Sequence, residues 1–155
     1  MAKSSVIETR RVRYDEDLYA WTQEQAALLR VRQASALDWE NLAEEIAAVG
    51  GSDRRKLESR LCVILLHLLK WQAQPALRGA SWRKTLRTQQ REIRKLLDQS
   101  PSLRRQVPDL IRRAYPDAVK DAVDETGLPA EHFPGSCPYA PDDVLGEDHL
   151  PETSF

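Results

Sequence analysis

The sequence predicts an all-α protein, a bundle of about five helices followed by an irregular C-terminal arm. Three observations carry that prediction. Apolar residues recur at helical spacing over five consecutive segments. None of the six glycines interrupts a long periodic stretch: Gly50, Gly51 and Gly79 fall between segments, Gly127 ends one, and Gly135 and Gly146 lie in the tail. Five of the nine prolines (Pro129, Pro134, Pro138, Pro141 and Pro151) crowd the last 27 residues. Prolines that dense end regular helix, so an irregular arm follows the bundle.

The first helix is expected from about Asp15. Asp15, Glu16 and Asp17 put acid in the first turn, where free backbone N–H groups and the helix dipole favour it. Leu18, Trp21, Leu28 and Val31 mark its apolar face. A second helix starts near Ser35 or Asp38 and carries Trp39, Leu42, Ala43, Ile46 and Val49. Gly50-Gly51 is expected to end it, since glycine accepts the left-handed cap conformation without steric cost.

Ser52 then caps a third helix that runs to about Gln74, before Pro75. Leu57, Leu61, Ile64, Leu65, Leu68 and Trp71 form its inner face, while Cys62, Val63, Leu66 and Leu69 make its middle apolar nearly all round. Such a helix is buried by neighbours on every side, which makes it the central helix. Ser81 caps a fourth, with Trp82, Leu86, Ile93, Leu96 and Leu97 inward. Ser100 and Pro101 open a last stretch, which Pro108 and Pro116 cut or kink before Gly127. Each of the first four helices holds one tryptophan (Trp21, Trp39, Trp71, Trp82), read as large core anchors. No strand-like alternation and no internal repeat is found.

The domain organisation follows: 1–13 a flexible N-terminus, 14–127 the helical bundle, 128–155 an acidic arm packed on the same domain. With 155 residues, 41% apolar and 30% charged, the chain reads as soluble and globular. Its longest apolar run, Leu61 to Leu69, is broken by His67 and is too short to span a bilayer. Met1 to Glu8 shows no leader-like stretch, so the cytoplasm is the expected location. Two cysteines 75 positions apart make no disulfide framework.

Three groups of segments point to a family. They are Asn41-Leu42-Ala43-Glu44-Glu45-Ile46, His67 to Pro75 and Ser81-Trp82, joined by Tyr14 to Asp17, Ser100 to Leu103 and Cys137-Pro138-Tyr139. On these the chain resembles the bacterial family catalogued as domain-of-unknown-function family 29, over about residues 14 to 152. The resemblance implies a small all-helical bacterial protein and supplies no activity. His149 departs from it, standing where the family pattern has an aromatic residue.

Two constellations are candidates for function. The first is a polar pocket of Asp38, Asn41, Glu44 and Glu45 on the second helix, with His67, Trp71, Gln74 and Trp82. If the second and third helices pair antiparallel through Gly50-Gly51, His67 meets Asp38 or Asn41. A buried His beside a carboxylate suits a general base or a metal ligand, but the favoured reading is a hydrogen-bonded core residue. The second is the basic face Arg83, Arg87, Arg91 and Arg94 on the fourth helix, flanked by Lys84 and Lys95.

Residues 78–113 hold 11 basic and 3 acidic side chains, and residues 114–155 hold 1 basic and 10 acidic. Arginine stripes of this kind bind phosphate backbones, yet they also solvate the outside of a bundle. Nucleic acid is therefore a partner considered but not favoured, an overall pI of 6.3 counting against it. His132, Cys137, His149, Asp142, Asp143 and Asp148 share the tail without metal-ligand spacing, so no metal and no cofactor is expected. No phosphate loop, nucleophile elbow or catalytic spacing is present. The favoured function is a non-catalytic interaction or regulatory protein with a protein partner. The alternatives are an enzyme or small-ligand binder at His67, and nucleic-acid binding through the basic face.

Overall fold

The computed structural model describes residues 11–147 and 149–155. The N-terminus expected to be flexible thus lies, for residues 1–10, outside the described residues, as does Asp148. The elements are α1 (Leu18–Arg30), α2 (Trp39–Ala73), α3 (Ala80–Gln99), α4 (Val107–Thr126) and α5 (Pro141–Leu145), joined by short 3-10 turns. No strand occurs among the described residues, and no helix there is long and apolar enough to cross a membrane. The chain falls into two compact units, Met1–Gly50 and Gly51–Phe155.

In the first unit, α1 starts at Leu18 rather than Asp15. Asp17 is its cap, and its side chain accepts from the Ala20 N–H at 2.9 Å. The acidic run therefore precedes the helix instead of filling its first turn. Among its described residues the unit buries only Trp21, Gln25 and Ala36. The apolar faces expected to point inward here are largely open: Leu18 is 48% exposed and Val31 70%. Trp39 is not a core anchor, being exposed, with its indole N–H on the Ala34 carbonyl at 3.2 Å.

The largest departure is α2, a single helix of 35 residues that passes through Gly50 and Gly51. Neither glycine takes a left-handed conformation; among the described residues only Gly127 and Arg32 have positive φ. Ser52 is therefore a mid-helix residue, not a cap. Breaking a helix forfeits backbone bonds on both sides of the break, whereas each interior glycine costs only about 1 kcal/mol relative to alanine. Continuation is the cheaper outcome when no residue supplies a turn.

The second unit holds the main core. Leu57, Leu61, Ile64, Leu65 and Leu68 from α2 meet Leu86, Ile93 and Leu97 from α3 and Leu110, Ala118 and Ala122 from α4. Ile64 and Leu65 are wholly buried, as the apolar circumference of this helix predicts. Phe133 and Val144 of the C-terminal segment are buried in the same cluster.

Two further boundaries differ from expectation. α3 starts at Ala80 behind Gly79, so Ser81 lies inside it and gives no cap bond. α4 runs unbroken through Pro116. Arg112, whose carbonyl loses its partner there, is exposed, and water can serve that carbonyl. Gly127 ends α4 at φ 71°, in the left-handed region that glycine enters freely.

Candidate functional site

The first unit carries its polar residues in one network. The Asp38 carboxylate caps α2. Its Oδ2 accepts from Asn41 Nδ2 at 2.8 Å and from the indole N–H of the buried Trp21 at 3.2 Å, and its Oδ1 from the Asn41 backbone at 3.3 Å. The buried Gln25 accepts the Asp38 N–H at 2.8 Å. Tyr14 packs edge-on against Trp21, ring centroids 5.0 Å apart, and donates to Glu45 Oε1 at 2.5 Å. A cavity of about 560 Å³ opens between Tyr14, Trp21, Gln25, Asp38 and Asn41 on one side and Arg11, Arg13 and Glu24 on the other.

The side-chain amide of Asn41 holds the Asp38 carboxyl below the usual carboxylate range. Burial opposes this in part, and the Asn41 backbone and Trp21 add to it. The Tyr14 phenol is raised by its bond to Glu45, then by burial and by the charges of Glu45 and Glu44. An ionised Asp38 with both oxygens engaged is poorly placed to take up a proton. What the network does is lock the segment before α1, α1 itself and the start of α2 to one another.

Asp38, Asn41 and Glu45 are thus brought together, with Glu44 as a nearby charge. His67, Trp71, Gln74 and Trp82 belong to the second unit. The pairing of His67 with Asp38 or Asn41 required a turn at Gly50-Gly51, and α2 makes none. His67 finds its partner on its own helix, Nδ1 lying 2.9 Å from the Val63 carbonyl. A carbonyl only accepts, so Nδ1 carries the proton. Burial pulls the imidazole below its ordinary pKa, the Val63 bond opposes, and Lys70 adds to the lowering. The ring is therefore neutral at pH 7.

Around it, Lys70 bridges Glu125 at 2.5 Å and sits 4.7 Å from the Trp82 ring centre. Trp71 is buried, and the guanidinium groups of Arg78 and Arg83 lie 5.3 and 5.4 Å from its ring centre. Gln74, half-buried, follows the last turn of α2. Of the four tryptophans only Trp21 and Trp71 are core anchors; Trp82 is half-buried beneath Lys70.

Three polar residues went unnoticed in the sequence. Gln25, Gln72 and Gln90 are the only fully buried polar side chains among the described residues. Each fastens an irregular segment. Gln25 holds the Asp38 backbone. Gln72 donates to the Thr153 carbonyl at 3.0 Å and accepts from Tyr139 at 2.6 Å. Gln90 donates to the carbonyls of Val144 and Gly146 at 3.2 and 2.8 Å. The signal was present: each follows an inward apolar residue by four, Trp21, Leu68 and Leu86, and so lies on the inner face.

On α3, Arg83, Arg87, Arg91 and Arg94 are all exposed, opposite the buried Leu86, Gln90, Ile93 and Leu97. Arg94 pairs with Glu147 of the C-terminal segment, and Arg91 lies 3.8 Å from Glu92. A cleft of about 420 Å³ is lined by Ala80, Arg83, Lys84, Arg87, Thr88 and Arg91. The thiols are not activated. Burial, with Asp121 and Asp117 beside it, pushes Cys62 up to about 11, and burial raises Cys137. His149 lies 3.5 Å from Asp143, and no three potential metal-ligating side chains converge among the described residues.

The family model described as "Domain of unknown function DUF29" matches residues 13–150. No curated protein and no solved structure matches the chain.

Proposed function

The chain belongs to the family described as domain of unknown function DUF29, a membership that assigns no activity, and we propose that it is a non-catalytic interaction or regulatory protein of the bacterial cytoplasm. One observation supports this reading above others. Of the nine large apolar side chains that the described residues expose, seven lie between Leu18 and Val49. Ordinary proteins scatter such residues singly; a concentration of them marks a docking surface. Trp39, Ile46 and Val49 are 62%, 72% and 67% exposed and fall at positions i, i+7 and i+10 of one helix. That is the spacing of anchors for a partner helix.

Charge selects the partner. Residues 38–49 contain Asp38, Glu40, Glu44 and Glu45 and no Lys or Arg. Two copies of this stripe side by side would oppose like charges. An amphipathic helix with an apolar ridge flanked by Lys and Arg complements both features.

The test uses the full chain and a synthetic helical peptide of Leu ridge and Lys flanks, followed through tryptophan fluorescence. Saturable binding that is lost in Ile46→Asp, and absent for a Glu-flanked peptide, is the expected result. No binding, or a sedimenting dimer that Ile46→Asp dissociates, overturns the reading; the dimer would make a second copy the occupant.

A further inference from the structure

We infer that the outer face of α3 binds the phosphodiester backbone of a nucleic-acid strand, with Arg83, Lys84 and Arg91 as phosphate contacts. This site lies wholly in the second unit and stands independently of the protein partner proposed above.

The argument begins with spacing. Arg83, Arg87 and Arg91 recur every four residues, so their Cα atoms advance along one face of α3 by about 6 Å per step and about 12 Å in all. A single phosphate cannot engage a row that long, whereas a chain of phosphates can. Thr88 falls between Lys84 and Arg91 in the sequence of α3, Ala80 stands at its first position before Arg83, and both short side chains line the 420 Å³ cleft together with the cations. Phosphate oxygens can therefore come between the arginines instead of meeting only their tips.

Arg83 is also partly ordered in advance. Its guanidinium lies 5.4 Å from the Trp71 ring centre, and Trp71 is buried. An aromatic face orients a guanidinium without neutralising it, so less side-chain freedom is lost on binding. Glu147 takes Arg94, and the Arg91–Glu92 approach of 3.8 Å is too long for a hydrogen bond and leaves Arg91 exposed. The surplus of positive charge in residues 78–113 is local, which is why the overall net charge of −1 conceals it. Contacts to the phosphodiester backbone carry no sequence information, so binding through them is expected to be indifferent to sequence.

Fluorescence anisotropy of a fluorescein-labelled single-stranded oligonucleotide with the full chain tests this. At low salt the chain binds, and inorganic polyphosphate competes. The affinity falls with salt at a log–log slope of about −2, set by three contacts at about 0.7 each. Arg83→Gln, Lys84→Gln and Arg91→Gln together weaken binding at least tenfold and flatten that slope. Because Arg83 touches Trp71, the pair Lys84→Gln with Arg91→Gln, both exposed, serves as a second variant and should weaken binding severalfold with unchanged circular dichroism. No binding at low salt, failure of polyphosphate to compete, or full affinity in that double variant overturns the inference.

Discussion

The hydroxyl of Tyr139 donates to Oε1 of Gln72 at 2.6 Å, across 67 residues of sequence. Gln72 in turn donates to the Thr153 carbonyl. One buried amide on α2 thus holds two points of the C-terminal segment, and Gln90 on α3 holds two more. Buried polar groups are tolerated only when paired, so these bonds specify where the segment lies as well as stabilising it.

Tyr139→Phe keeps the ring and leaves Gln72 Oε1 without that donor. A loss of roughly 1–3 kcal/mol is expected, the cost of leaving a buried polar atom unsatisfied. Urea denaturation checks it. Adding Gln72→Leu to Tyr139→Phe should cost less than the sum of the two single changes, because the orphaned acceptor is gone.

Alkaline pH should destabilise the fold. Burial pushes the Tyr115 phenol up to about 12 from 10.0 and the Cys62 thiol up to about 11 from 9.0, and it raises Tyr139 as well. Each group keeps its proton in the folded state at a pH where the unfolded chain releases it. Their contribution is therefore complete below about pH 9 and is lost as pH climbs through 9 to 12. Melting temperatures should fall steadily over that window, and less steeply in Cys62→Ala. His67 works in the other direction. Its lowered pKa gives stability that is present above about pH 6.5 and declines as pH falls below it.

Gly50→Ala should raise stability by about 0.5–1 kcal/mol. A Cβ at this position meets nothing within 4 Å, and φ is not in the positive range. Gly51→Ala should behave similarly, since its nearest contact is the movable end of Arg55 at 3.3 Å. Gly127→Ala has equal space but φ of +71°, and it should destabilise instead. Thermal melts of the three variants separate a helical glycine from a capping one.

Leu65→Ala should cost roughly 2–5 kcal/mol, because Leu65 is fully enclosed in the core of the second unit. Ile46→Ala, on the same helix but 72% exposed, should change stability by no more than about 0.5 kcal/mol. Equal losses in the two variants, read from denaturant midpoints, would contradict the described burial.

The basic row on α3 was legible because it lies on one helix, where the four-residue step alone fixes which side chains are neighbours. The polar pocket was not, because it depended on how two segments meet. Periodicity tells which face of Trp39 to Val49 is apolar, but the same pattern serves a covered face and an open one. A tryptophan counts as hydrophobic in either place, so Trp39 and Trp71 could not be told apart.

The sequence by itself determined that the protein is helical, which stretch forms its densest core, and that helix ends at Gly127. These are consequences of local geometry and of side-chain transfer out of water, both properties of short segments. Only the tertiary structure decided that α2 continues through Gly50-Gly51 and that His67 turns to Val63. It also decided that Gln25, Gln72 and Gln90 fasten irregular backbone. Two glycines are compatible with a turn or with a helix, and the choice rests on small differences between backbone bonding and chain entropy. The partner of a buried polar group can stand 81 residues away, as Thr153 does from Gln72, a distance no local pattern spans.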